Sequence, residues 1–384
     1  MKEKQDFGVI LIDYPNRSKN IFSFMIYIIL ILLVLAIYLY NHPVFGGKAE
    51  GKRLMRIKQS PNYNNGTFRN LSPTPALAEG YSMPQVMWQF LTDKTSHKRP
   101  DHMLPSKKTN LKDQPVDDDF LVWMGHSSYY FQLDKKRFLV DPVFSGNASP
   151  IPGTTKAFAG SDIYNADDFP PIDFLIISHD HYDHLDYKTI KELKPKINKV
   201  ICGLGVGAHF ERWGFDEDQI IELDWYDEAE LAKDFRIIST PARHFSGRRF
   251  RRNNTLWASY VLESPGKRIF IGGDSGYDVH FKEIGEKYGP FDWAILENGQ
   301  YNEKWRYIHT LPNEFVKVAE DLNVKNVLPV HSGKFALAQH PWTEPLQKVC
   351  DNCAQEKFNL YTPLIGEKLN LNSEPQTFTH WWND

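Results

Sequence analysis

The sequence predicts an α/β protein whose sheets are covered by helices on their outer faces, preceded by one membrane-spanning helix. Three observations predict it. From Phe120 onward, short apolar runs of strand length recur between turns. Helical stretches interrupt some of these runs, giving many strands with a minority of interspersed helices. A twenty-residue uncharged run, Ile21 to Tyr40, precedes them all. Over 384 residues, 41% hydrophobic and 24% charged side chains are ordinary globular usage, so wholesale disorder is excluded. No repeat at a solenoid period is visible.

The apolar run reads IFSFMIYIILILLVLAIYLY and follows an N-terminal tail, residues 1–20. Twenty helical residues at ~1.5 Å each span about 30 Å, the thickness of a bilayer hydrocarbon core. Tyr38 and Tyr40 sit where an interfacial aromatic belt lies. A cleaved signal peptide has a shorter apolar region and small residues at its cleavage site, whereas this run continues into Asn41-His-Pro-Val-Phe45. The segment therefore reads as a single-pass membrane anchor, with membrane lipid as its environment. Lys2, Lys4, Arg17 and Lys19 precede it and Lys48, Lys52, Arg53, Arg56 and Lys58 follow it, a balance that assigns no side to the soluble part.

Residues 41–118 are rich in Pro, Asn, Gly and Ser and read as a wrapping extension with short helices such as Met83 to Leu91. The main domain, 119–384, carries the strand-like runs 120–124, 129–133, 137–140, 174–178, 199–202, 235–239, 256–262, 268–272, 291–296 and 326–330. Helical patterns fall at Tyr187 to Leu193, Val206 to Trp213 and Asn313 to Leu322. Three cysteines cannot build a disulfide scaffold. Cys350 and Cys353 form a lone C-x-x-C; without a second ligand pair at similar spacing it is no structural zinc site, and it reads as two ordinary helix cysteines, with a redox pair as the alternative.

The chemistry concentrates after the run FLIIS, where His179-Asp180-His181-Tyr182-Asp183-His184 follows directly. His179 and His181 alternate along an extended chain and point to one side, while Asp183 and His184 lie where the chain turns, within reach of a second ion. Three further candidates share this position at a strand exit: His244 after FRIIS, Asp274 after RIFIGG and His331 after NVLPV. Ligands at the ends of separate strands converge on one rim of a sheet, which makes a two-metal site the favoured reading. Imidazole and carboxylate suit zinc, and also accept iron or manganese.

These motifs resemble the metallo-β-lactamase superfamily. The later lone His244, Gly273-Asp274-Ser275 and Pro329-Val-His-Ser-Gly333 resemble the branch containing N-acyl-phosphatidylethanolamine-hydrolysing phospholipase D. Trp123-Met-Gly-His-Ser127, Asp141-Pro-Val143, Gly203-Leu-Gly-Val-Gly207 with His209, and His244-Phe-Ser-Gly-Arg248 extend the likeness over about Phe45 to Pro345. The resemblance implies an αββα sandwich with a dinuclear site on one edge. It implies that His179, His181 and His244 hold one zinc ion, that Asp183, His184 and His331 hold the other, and that Asp274 bridges them. It gives His309 the role of stabilising developing charge or the leaving group, and Asp183 a catalytic as well as a ligating role. His126 reads equally as a support for a ligand and as a buried structural histidine. Glu297 departs from the branch's pattern and places an acid where it would repel a phosphate.

Arg248, Arg249, Arg251 and Arg252 crowd the chain just after His244. Guanidinium groups match phosphate geometry, and Arg248 is the candidate substrate-binding residue, against the alternative of a solvated basic loop. The expected function is a membrane-anchored dinuclear zinc phosphodiesterase of the N-acyl-phosphatidylethanolamine phospholipase D type. The alternatives are a metal-dependent hydrolase of a small soluble lactone or phosphate ester, and a non-catalytic tethered binding module. With 45 Lys+Arg against 48 Asp+Glu there is no basic face for nucleic acid, so none is expected as a partner.

Overall fold

The computed structural model describes residues 17–248, 251–372 and 376–383, so most of the N-terminal tail and Arg249 of the basic cluster lie outside the described residues. The chain divides into two compact units, Met1–Phe45 and Gly46–Asp384. The first contains helix α1 (Arg17–Tyr40), in which Ile21–Tyr38 has a mean hydropathy of 2.9 and no buried residue. Its length and composition are enough to cross a membrane.

In the second unit, residues 46–119 contribute α2 (Gly51–Gln59), a hairpin of β1 (Tyr63–Asn64) and β2 (Thr67–Phe68), and α3 (Met83–Thr92). The first large sheet begins as an antiparallel meander of β3 (Phe120–Trp123), β4 (Tyr129–Leu133) and β5 (Lys136–Val140). It continues in parallel through β6 (Ile172–Ile177), β7 (Ile197–Gly203) and β8 (Ile220–Leu223). Strand β9 (Glu228–Ala232) edges the second sheet, whose meander is β10 (Phe235–Thr240), β11 (Ser259–Glu263) and β12 (Arg268–Ile271). The parallel strands β13 (Phe291–Glu297), β14 (Val324–Val330) and β15 (Asn359–Leu360) follow. Strand β16 (Lys368–Asn370) returns to edge the first sheet beside β3. The two sheets thus run β16-β3-β4-β5-β6-β7-β8 and β9-β10-β11-β12-β13-β14-β15, the same scheme twice. This duplication has no counterpart in sequence periodicity.

Period-two alternation explains the layering. Leu121, Trp123, Tyr129, Phe131, Phe138, Val140, Phe174 and Ile176 of the first sheet face Ile237, Leu262, Ile269, Ile271, Trp293, Ile295 and Leu328 of the second in one buried cluster. Their neighbours Val122, Tyr130, Leu139, Leu175 and Ile177 turn outward, under α4 (Tyr187–Leu193) and α5 (Gly207–Arg212). On the other side Val261, Phe270, Ala294 and Val327 lie under α6 (His280–Tyr288), α7 (Phe315–Asp321) and α8 (Glu344–Cys353). Parallel neighbours need crossovers, and these helices supply them while covering both outer faces, giving an αββα sandwich. In α8, Cys353 packs into this outer core and Cys350 against it, both as free thiols. Burial pushes their thiols up to about 12 and about 11.

Several elements have no apolar signal of their own. β9 reads EAELA and sits half-exposed at an edge. α6 contains Gly285, where a Cβ would come within 1.9 Å of the Asp321 carbonyl, so the glycine is there for close packing of α6 on α7.

Candidate metal centre

The strand exits meet on one rim, at the carboxyl ends of β6, β12, β13 and β14, where open α/β sheets present ligand sites. His179 and His181 follow β6, and Asp183 and His184 lie in the turn before α4. His244 follows β10, Asp274 follows β12 and His331 follows β14. Gly273 permits the approach of the β12 exit: a Cβ there would lie 2.6 Å from the Ala258 carbonyl and 3.0 Å from Ser178 Cβ. The two rims are stitched together by the β3–β4 turn. The His126 amide donates to the Ser332 carbonyl (2.8 Å) and the His331 amide to the His126 carbonyl (2.9 Å). Both histidines hold positive φ, 53° and 70°, a backbone region seldom used by residues other than glycine and often found at functional sites.

All seven residues expected as ligands are brought together. His179 Nε2 lies 2.8 Å and His244 Nε2 3.3 Å from His181 Nδ1. Three nitrogens on a tetrahedral zinc ion lie about 3.3 Å apart, so this trio has the spacing of a ligand set. His184, Asp183 and His331 form a second group with His126. Asp274 stands between the groups, its Oδ2 3.2 Å from His184 Nε2, 3.9 Å from His179 Nε2 and 3.8 Å from His244 Nε2, and its Oδ1 3.2 Å from His331 Nδ1.

The donors fit a cation on two grounds. Among the described residues, the buried His184 Nε2, His331 Nε2 and Asp274 Oδ1 have no hydrogen-bond partner, a costly arrangement unless a ligand completes it. The protonation states also suit a metal. Burial holds His179, His244 and His331 well below the usual histidine range, so their imidazoles are neutral ligands. Burial opposes ionisation of Asp274, but His184 and His331 outweigh it and hold its carboxyl well below the usual range. Burial likewise opposes a charge on His184, yet Asp274, Asp183 and Asp141 carry it well above its ordinary value. A cation at this place would take over the role of that proton.

Supporting contacts fix the rings. Asp141 Oδ2 accepts from His184 Nδ1 (2.8 Å) and from Ser178 Oγ (2.5 Å). The Ile308 carbonyl takes His244 Nδ1 (2.8 Å), and Ser127 Oγ meets His331 Nδ1 (2.8 Å). Such partners set tautomer and orientation. His126 is fully buried with Nε2 2.9 Å from Asp183 Oδ2, so it holds that carboxylate in place. The sequence marks Asp141 and the His126-Ser127 segment only as family-like and offers support of a ligand as one of two readings of His126; their contacts with His184, Asp183 and His331 come from the fold. The signal that points to Asp141 is an acid directly after an apolar strand, with a positive φ of 42° in the fold.

His309 reaches the same rim, Nδ1 2.7 Å from Glu297 Oε2 and 4.0 Å from Asp274 Oδ2. Glu297 is not aimed at a phosphate: its other oxygen accepts the Ser275 and Thr310 amides (3.1 and 2.7 Å). Burial pushes its carboxyl up to about 7, against His309. Burial opposes a charge on His309, but Glu297 raises it. The two amide donors favour a carboxylate at Glu297 with the shared proton on His309.

Arg248 lies elsewhere than a head-group site. It is buried, Nη1 donates to the Asp180 and Leu185 carbonyls (2.9 and 2.5 Å), and its guanidinium stacks on Tyr182 at 4.3 Å. It braces the ligand loop from behind. Arg252, four residues further on, is exposed, lines the cleft and stacks on Phe245 at 4.6 Å. That cleft has a volume of about 420 Å³. His181, Asp183, His244, Asp274, His309 and His331 form its floor, and Leu77, Met83, Val86, Phe90 and Leu337 its apolar wall.

Comparison with known proteins agrees with this fold. The beta-lactamase superfamily domain matches residues 136–332. An uncharacterized protein of Mycobacterium tuberculosis is 36% identical over 330 residues, covering 85% of this chain and 88% of that protein. N-acyl-phosphatidylethanolamine-hydrolyzing phospholipase D 1 of Caenorhabditis elegans is 32% identical over 318 residues, covering 74% and 84%. Among solved structures, Igni18, a metallo hydrolase of Ignicoccus hospitalis, shares the fold with a TM-score of 0.51 at 19% identity, over 67% of this chain and 99% of that one. The chain belongs to the metallo-β-lactamase superfamily and, within it, resembles N-acyl-phosphatidylethanolamine-hydrolysing phospholipase D.

Proposed function

We propose that this metal-dependent hydrolase is a membrane-anchored phosphodiesterase that cleaves N-acyl-phosphatidylethanolamine to phosphatidic acid and an N-acylethanolamine. The observation that carries this reading is the two-natured cleft, with metal ligands on its floor and an apolar wall beside them. A phosphodiester needs the first and long acyl chains need the second. The C. elegans relative, 32% identical over 318 residues, supports the choice of lipid.

His179, His181 and His244 would hold one zinc ion, Asp183, His184 and His331 the other, with Asp274 shared. When bound, such ions supply Lewis acidity and lower the pKa of water toward neutrality. The remaining tasks fall to side chains. Arg252 in the cleft lining pairs with a phosphate oxygen. His309, held charged by Glu297, gives a proton to the departing N-acylethanolamine oxygen as the P–O bond breaks, and water supplies the hydroxyl that remains on phosphorus. Met83, Val86 and Phe90 take up acyl chain and exclude water from the floor. α1 keeps the enzyme at the bilayer that holds its substrate.

The test is incubation of zinc-loaded full-length protein with N-acyl-phosphatidylethanolamine in mixed micelles, with His331→Ala as control. Phosphatidic acid from the wild type alone is the expected result. No phosphatidic acid from protein with its metals bound, together with turnover of a soluble lactone or phosphate ester, would replace the lipid reading with a soluble substrate.

A further inference from the structure

We propose that the outward face of α3 is a bilayer-docking surface that seats the cleft mouth on the lipid head-group layer. This rests on the reading of a lipid substrate and of α1 as an anchor, and it assigns to α3 a contact separate from that anchor. Met83–Thr92 reads MPQVMWQFLT and contains no charge. On a 3.6-residue period Met83, Met87 and Leu91 form one line, with Trp88 beside it, and all are exposed: Trp88 by 66% and Leu91 by 76%. Val86 is buried on the cleft side, and the partly exposed Phe90 also lines the cleft and stacks on Trp305 at 5.8 Å. An exposed helix of a water-soluble surface keeps its outer face polar; this one is apolar both inside and out.

Three observations select a lipid surface as the occupant. The outer face is continuous with the cleft through Met83, which is exposed and also lines the apolar wall, so what covers the face opens onto the floor. Basic side chains flank it: the exposed Lys94 follows the helix, and the exposed Arg252 lines the cleft, matching anionic head groups around an apolar centre. The side chains themselves, Met, Leu and Trp, are those that partition into the acyl boundary and the interface. Docked this way, a lipid passes from the leaflet along Met83 to the metal ligands without crossing water.

The experiment reconstitutes the full zinc-loaded chain in phosphatidylethanolamine–phosphatidylglycerol liposomes and compares wild type, Trp88→Phe and Met87→Glu/Leu91→Glu. Brominated acyl chains should quench the fluorescence component lost in Trp88→Phe, and the double variant should escape that quenching. With N-acyl-phosphatidylethanolamine in the liposomes, the double variant should lose at least tenfold in turnover while hydrolysis of soluble bis(p-nitrophenyl) phosphate stays within twofold. An unquenched Trp88 would overturn the proposal, since the face is then covered by α1 or by a second copy of the chain. Equal losses on lipid and soluble ester would overturn it too. Quenching of Trp88 in an enzyme that cleaves no lipid would uphold docking and remove the substrate reading instead.

Discussion

Asp274→Asn is expected to remove most metal and nearly all turnover. Among the described residues, Asp274 is the one carboxylate that reaches both histidine groups, with oxygens 3.2 Å from His184 and from His331 and under 4 Å from His179 and His244. The amide keeps the shape but has no charge to offset a bound cation. Loss of a mere supporting partner costs a metal site 10–100-fold in affinity, so loss of this shared ligand is expected to cost about 10³-fold or more in kcat. Metal content by plasma emission and turnover of a soluble phosphodiester check it together. A variant with full metal and full activity would remove Asp274 from the centre.

His309→Ala is expected to behave differently, because the proposed mechanism gives His309 a proton transfer to the leaving group and places it outside the two ligand groups. Its loss should lower kcat by about 10²-fold, the usual weight of a positioned proton donor, with metal content unchanged. Glu297→Gln should fall between it and wild type. The amide still accepts the Ser275 or Thr310 amide but no longer holds a charge against His309 Nδ1 at 2.7 Å. Steady-state kinetics on leaving groups of different pKa separate this role from a structural one. The His309→Ala defect should shrink as the leaving group becomes more acidic and needs no proton. A defect of equal size for all leaving groups would contradict the assignment.

The candidate ligands were legible in the sequence because they are local in two ways: four of them crowd 179–184, and the rest follow strong apolar strands within a few residues. The strands were legible where both faces are buried, as in FLIIS and NVLPV. They were not where an edge strand such as β9 carries charges, or where β15 and β16 are only two or three residues long. α6 was hidden by its central Gly285, whose reason is a neighbour on another helix. Arg248 shows the limit most clearly. Its position after His244 suggested a substrate contact, but only the fold reveals that the Asp180 and Leu185 carbonyls lie behind it and that Arg252 lines the cleft. The placement of Met83, Val86 and Phe90 beside the site is equally tertiary, since they lie 89 to 96 positions before His179.

The most direct test of the account is the metal stoichiometry of the full-length protein purified with zinc, measured beside His181→Ala and His331→Ala. Seven residues arranged as two groups sharing Asp274 predict two equivalents per chain in the wild type. Each variant should lose one group's ion first, leaving about one equivalent, as each removes a donor from a different trio. A wild type that binds no metal, or variants that keep the full wild-type complement, would contradict it.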